Sequence, residues 1–78
     1  MSFMIEIYLS QSQIGLREEM ANTMSHLGGE ITYSEEGTGA FESFSICLTV
    51  EFEHPEDSEI AKVMIQKRGI HVEGPYSY

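Results

Sequence analysis

Apolar and polar positions alternate at the start of the chain, where Phe3, Ile5, Ile7 and Leu9 are separated by Met4, Glu6 and Tyr8. A period of two predicts a strand with one buried face. The polar run Ser10-Gln-Ser-Gln follows, and Ser10 or Ser12 can cap a helix there. From Ile14 to Leu27 the period lengthens: Leu16, Met20, Met24 and Leu27 recur at spacings of four, four and three, the stripe of an amphipathic helix. Gly28-Gly29 supplies the left-handed residue that ends it. Residues 30–34 predict a short strand with Ile31 and Tyr33 on its inner side, and residues 34–40 a glycine-containing turn. Phe44, Ile46, Leu48, Val50 and Phe52 then alternate with Ser45, Cys47, Thr49 and Glu51, the longest strand pattern in the chain. His54-Pro55 breaks it, and Glu56, Asp57 and Glu59 suit the positive first turn of a second helix. Ile60, Ala61, Met64 and Ile65 give that helix its expected buried stripe, and Gly69 stops it. Residues 70–73 predict a last short strand before Gly74-Pro75 and the terminal Tyr76-Ser-Tyr78.

The order strand–helix–strand–strand–helix–strand is that of two right-handed crossovers joined by a hairpin. It predicts one α+β domain over residues 1–78, a ferredoxin-like βαββαβ sandwich with four antiparallel strands and both helices on one face. The covered face is then Ile5, Ile7, Leu9, Ile31, Tyr33, Ile46, Leu48, Val50, Ile70 and Val72. The open face carries Met4, Glu6, Tyr8, Thr32, Ser43, Ser45, Cys47, Thr49, Glu51, His71 and Glu73. With 78 residues, 41% of them hydrophobic, the chain has enough apolar material for one small core, of the size whose stability is marginal.

Charge narrows the choice of partner. Thirteen Asp and Glu against four Lys and Arg leave a net −9. Arg17 is the one Lys or Arg before Lys62; Lys62, Lys67 and Arg68 cluster toward the end of the second helix, where they complement its dipole. Nucleic acids and anionic membranes are therefore excluded as expected partners, since both demand a basic stripe. RNA-binding sheets of this topology stack bases on several aromatics among cations, whereas the expected open face offers Tyr8 beside Glu6 and Glu51. No apolar run reaches the roughly 18 residues of a membrane span. The first residues lack the basic start of a signal peptide, and a single cysteine, Cys47, allows no intrachain disulfide; the expected location is the cytoplasm.

Candidate chemistry is sparse. His71, next but one to Glu73, forms the minimum pair for acid–base work but has no nucleophile or second base in its pattern. No cation stands near Cys47 to lower its pKa. Cys47, Glu51 and His54 lie scattered along a strand and its end rather than at ligand spacing. Glu35-Glu36-Gly-Thr-Gly lacks the Asp/Asn ladder of a calcium loop, and Gly37-Thr-Gly39 is too short to cradle phosphate. The expectation is a protein without catalytic residues, cofactor or metal.

The stretch from Tyr8 to Ile31, a strand, a short polar loop with Gly15, a helix and Gly28-Gly29, resembles the first half of an ACT-type regulatory domain. Ile14 precedes Gly15, where that family usually has an acidic residue or Asn. The resemblance implies a ligand-sensing or dimeric assembly module, with an amino acid bound where the loop meets a neighbouring subunit and a homodimer formed through edge strands or the open face.

The leading expectation is different: a small acidic inhibitor that occupies the active-site cleft of a basic toxin or nuclease. In charge and size the chain resembles bacterial immunity proteins and phage-encoded nucleic-acid mimics. Carboxylates attract an Arg/Lys-lined cleft and raise the association rate. The expected contact residues are Glu35, Glu36 and Glu42 of the hairpin loop, Glu51 and Glu53 of the long strand, and Tyr76 and Tyr78 as aromatic anchors.

Overall fold

Ile5, Ile7 and Leu9 project from one side of their strand because successive Cβ atoms alternate, and burying them requires a second layer. In the structure, a computed structural model that describes residues 2–36 and 44–77, that layer is a pair of helices. The elements run β1 (Phe3–Leu9), a 3₁₀ segment (Gln11–Leu16) leading into α1 (Arg17–His26), β2 (Gly29–Glu36), β3 (Ile46–Phe52), α2 (Pro55–Lys67) and β4 (His71–Ser77). The strands form one sheet in the order β2-β3-β1-β4, every neighbouring pair antiparallel. Each crossover leaves a gap between its two strands, and a strand of the other crossover fills it, so β1 and β3 become central. This is the α+β ferredoxin-like arrangement that the alternation predicts. Among the described residues no helix is long and apolar enough to cross a membrane.

The core lies between sheet and helices. Ile5, Ile7, Leu9, Ile46, Leu48, Val50 and Phe52 meet Met20 and Met24 of α1 and Ala61 and Ile65 of α2. Ser58 is buried among them without loss, because its hydroxyl donates to the Pro55 carbonyl at 2.7 Å. Gly29 sits under the Phe52 ring, where a Cβ would approach ring carbons at 2.7 Å.

Four expectations need correction, each for a local reason. The first helix does not begin at Ile14: residues 11–16 are 3₁₀, with the Ser10 N–H held by Gln13 Oε1 at 3.1 Å, and the α-helix starts at Arg17. On α2 the positions facing the sheet are Ser58, Ala61 and Ile65, so Ile60 and Met64 point outward, 50% and 42% exposed. Adjacent helical residues lie about 100° apart, and Ala61 and Ile65 fix which side is inward. Third, β2 carries a bulge: Ile31 pairs with Val50 but Tyr33 pairs with Thr49, leaving Thr32 over. That extra residue reverses the alternation. Tyr33, expected in the core, is 58% exposed on the open face, and Glu35 joins it there while Ser34 turns toward the helices. Glu35 and Glu36 thus belong to a strand rather than to the hairpin turn. Last, β4 does not stop at Glu73 but runs through Gly74-Pro75 to Ser77, with a bulge opposite Ile5. Gly74 has φ 105°, and a Cβ there would lie 2.7 Å from the Met4 carbonyl oxygen, so glycine alone fits.

Candidate functional site

Across the sheet, from β2 to β4, three rows of side chains lie on the face the helices leave open. The first is Glu35, Cys47, Tyr8, His71; the second Tyr33, Thr49, Glu6, Glu73; the third Glu30, Glu51, Met4, Tyr76. Strands lie about 4.8 Å apart and same-face residues about 6.8 Å apart along each strand. The face is therefore an array of carboxylates, Glu6, Glu30, Glu35, Glu51 and Glu73, with no lysine or arginine in it. All four cations sit in or beside the helical layer. Arg17 donates to Ser34 Oγ at 2.8 Å, Lys62 to the Gly74 carbonyl at 2.5 Å, and Arg68 is paired with Glu19; Lys67 closes α2. In that layer four cations balance Glu18, Glu19, Glu56, Asp57 and Glu59 almost completely.

Aromatic side chains shape one end of the array. Tyr8, Phe44 and His71 form a cluster with ring centroids 5.2–5.3 Å apart, Phe44 stacked on His71 and Tyr8 tilted against both. Phe44, read as the first apolar position of the long strand pattern, precedes β3 and lies with these open-face rings. His71 Nε2 meets Glu73 Oε2 at 2.9 Å, and the Tyr76 hydroxyl donates to Glu73 Oε1 at 3.4 Å. Tyr8 is 6% exposed although it belongs to the open face.

This environment disfavours added negative charge. Burial, then the neighbouring Cys47, Glu6 and Glu73, push the Tyr8 hydroxyl well above the usual phenol range. Burial and Glu6 likewise push the Cys47 thiol up, against a hydrogen bond with Tyr8 that pulls the other way. Tyr76 is raised by desolvation and by Glu73 and Glu6. Cys47 is consequently a thiol at neutral pH and a weak nucleophile. What the arrangement can do is hold a cation: carboxylates supply the charge, and the half-buried ring of Phe44 supplies a face on which a guanidinium can lie. Among the described residues no three of His, Cys, Asp and Glu converge as metal ligands.

Of the residues expected to make contact, Glu35 and Glu51 share the open face, and Tyr76 lies at its β4 edge opposite Met4. Glu36 pairs with Ile46 on the opposite parity, and Glu53 lies exposed beyond the end of β3, so neither joins the array. Glu42 and Tyr78 fall outside the described residues. Glu6 and Glu73, legible as outward from alternation, belong to the site, as do Tyr33 and Phe44, whose placement depends on a bulge and a strand end.

A separate hollow of about 450 Å³ opens between the 3₁₀ segment, the start of α1 and β2, lined by Ile14, Gly15, Arg17, Ile31 and Ser34 among others. No protein-family model matches the chain, and neither a curated protein nor a solved structure matches it.

Proposed function

We propose that the protein is a non-catalytic, protein-binding inhibitor that presents its open sheet face to a cationic cleft, such as that of a basic toxin or nuclease. The observation that carries this reading is the segregation of charge: five carboxylates on one face without a Lys or Arg, and every cation on the helical side. A cleft built to hold a polyanion lines itself with Lys and Arg at short separations, and a rigid sheet presents carboxylates at comparable ones. Rigidity matters because little side-chain and backbone freedom remains to be lost on binding. Aromatic residues beside the carboxylates add anchors of the kind that dominate interface energetics.

Calorimetric titration against basic proteins encoded next to this chain tests the reading. Binding at about micromolar affinity or tighter is expected, weakening steeply with salt. Glu35→Gln with Glu51→Gln weakens it by about tenfold or more, whereas Glu18→Gln with Glu59→Gln on the helical side leaves it within about twofold. Binding that ignores the open-face pair, or no binding to any such protein, contradicts it.

A second reading, a ligand-sensing module, draws on the hollow beside Gly15. A Cβ on Gly15 would meet nothing within 4 Å, and Arg17 lines the same hollow, a partner for a small carboxylate. A thermal shift with a free amino acid that disappears in Arg17→Gln supports this second reading.

A further inference from the structure

The outer side of α2 is an apolar stripe with opposite charges at its ends. Glu56, Ile60, Val63 and Lys67 follow one another at spacings of four, three and four, which places them on one line along the helix. Ile60 and Val63 are 50% and 46% exposed, and Met64, 42% exposed, widens the stripe toward Leu27 of α1. Among the described residues neither Glu56 nor Lys67 forms an ion pair within the chain.

The spacing four–three–four reads the same in both directions, and the end charges are opposite. A surface with those two properties is complementary to its own copy turned around. We infer that α2 is the contact of a two-fold symmetric homodimer in which two α2 helices pack antiparallel. Ile60 of each copy then lies against Val63 of the other, and Glu56 of each against Lys67 of the other. Such a contact is isologous, so every interaction occurs twice.

Charge selects this surface over the alternatives. Two open sheet faces brought together would set five carboxylates against five. The outer edge of β2 carries Glu30, Glu35 and Glu36, and Pro75 removes a backbone donor from β4. Among the described residues the helical layer is the broad surface nearest neutrality, and it holds the exposed Ile60, Val63 and Met64. Because the helices cover one side of the sheet, the dimer leaves both acidic faces outward. The inference is independent of what those faces bind.

Sedimentation equilibrium and light scattering on the full chain, from about 5 µM to about 1 mM, decide the matter. A monomer–dimer equilibrium is expected, with Val63→Glu leaving a monomer throughout. Glu56→Lys and Lys67→Glu each weaken association by about tenfold, since each inverts two symmetry-related pairs. Combined in one chain they restore it to within about threefold of the parent. Glu35→Lys on the open face does not weaken it. Circular dichroism melts establish that each variant is folded, and should Val63→Glu fail to fold, the charge exchange still decides. A parent chain that stays monomeric to 1 mM, a dimer indifferent to Val63→Glu, or a double exchange that fails to restore association overturns the inference.

Discussion

Glu6 on β1 and Glu73 on β4 stand directly opposite each other across the sheet, and Glu30 and Glu51 do the same between β2 and β3. Like charges at directly paired positions destabilise a sheet, by up to about 1 kcal/mol per pair. Glu73 is partly compensated by His71 and Tyr76, whereas among the described residues none forms a side-chain hydrogen bond or ion pair with Glu6. Neutralising one member of each pair therefore stabilises the fold. Glu6→Gln and Glu30→Gln are each expected to raise the unfolding free energy by about 0.2–1 kcal/mol in urea titrations at low salt. The gain should shrink at about 0.5 M salt, where screening already removes most of the repulsion. Loss of stability in both variants would mean that the carboxylates are held by favourable contacts instead.

Cys47 and Tyr8 are expected to make the fold less stable at alkaline pH. Both groups are neutral when protonated, and both have folded pKa values above their unfolded ones. As pH rises past the ordinary thiol value, the unfolded chain releases a proton that the folded chain retains, so unfolding becomes easier. Stability is thus expected to be unaffected by these groups through neutral pH and to fall above about pH 8.5, first through Cys47 and then through Tyr8. Thermal melts across pH 7–11 check this, and Cys47→Ala should remove the first part of the decline. The thiol should also react with a disulfide reagent at pH 8 at least about tenfold more slowly than in the unfolded chain.

Tyr33 and Leu48 separate what alternation predicts from what the bulge produces. Simple alternation puts both in the core, yet Tyr33 is 58% exposed and Leu48 is 1% exposed. Tyr33→Ala should cost less than about 1 kcal/mol, the range of an exposed strand position. Leu48→Ala should cost about 2–5 kcal/mol, because it leaves a cavity in the core. In a domain of this size the second change brings the midpoint of unfolding close to ambient temperature. Equal costs would place Tyr33 back in the core.

Elements and topology were legible because they rest on period, and period depends only on which residues are apolar. Ile5, Ile7, Leu9, Ile46, Leu48 and Val50 are buried where alternation puts them, and Gly28 and Gly69, both at positive φ, end the two helices. The misplacements sit where one residue changes the count. Thr32 is extra in β2, and nothing in Glu30-Ile-Thr-Tyr-Ser marks it, since a bulge is settled by the pairing strand. Phe44 continues the apolar alternation of the long strand but lies before β3 begins. On α2, Ile60 and Met64 are as apolar as Ala61 and Ile65, so composition could not decide which pair faces the sheet. The candidate site inherits these gaps. Glu51 was correctly outward, Glu35 reached the same face only through the bulge, and Glu36 went to the other side with it.

Gly74 tests how tightly the β4 edge of the array is held. Its φ of 105° is strained for any other residue, and a Cβ would strike the Met4 carbonyl oxygen, an atom that cannot move without disturbing β1. Gly74→Ala should therefore cost more than about 1 kcal/mol, and amide resonances of Met4, Ile5 and Tyr76 should shift with it. Gly15→Ala, where a Cβ meets nothing within 4 Å, is the matched control and should change stability by less than about 1 kcal/mol.

An oligo-arginine peptide probes the open face without knowledge of the natural partner. The chain has no tryptophan, and Tyr8, Tyr33 and Tyr76 all lie on that face, so peptide binding is read directly in tyrosine fluorescence. Affinity should fall several-fold between about 0.05 and 0.5 M salt, because attraction to an exposed carboxylate array is screened. Arginine should bind more tightly than lysine at equal peptide charge, since a guanidinium can stack on Phe44 while an ammonium gains less from a ring face. Phe44→Ala should narrow that difference without altering the salt dependence, which belongs to the carboxylates; Glu6→Gln with Glu51→Gln should do the reverse. Amide shift mapping then places the peptide over β1 and β3. Shifts confined to α1 and α2, or equal affinity for the two peptides in the parent chain, would deny the open face its role as a cation-binding surface shaped by aromatic rings.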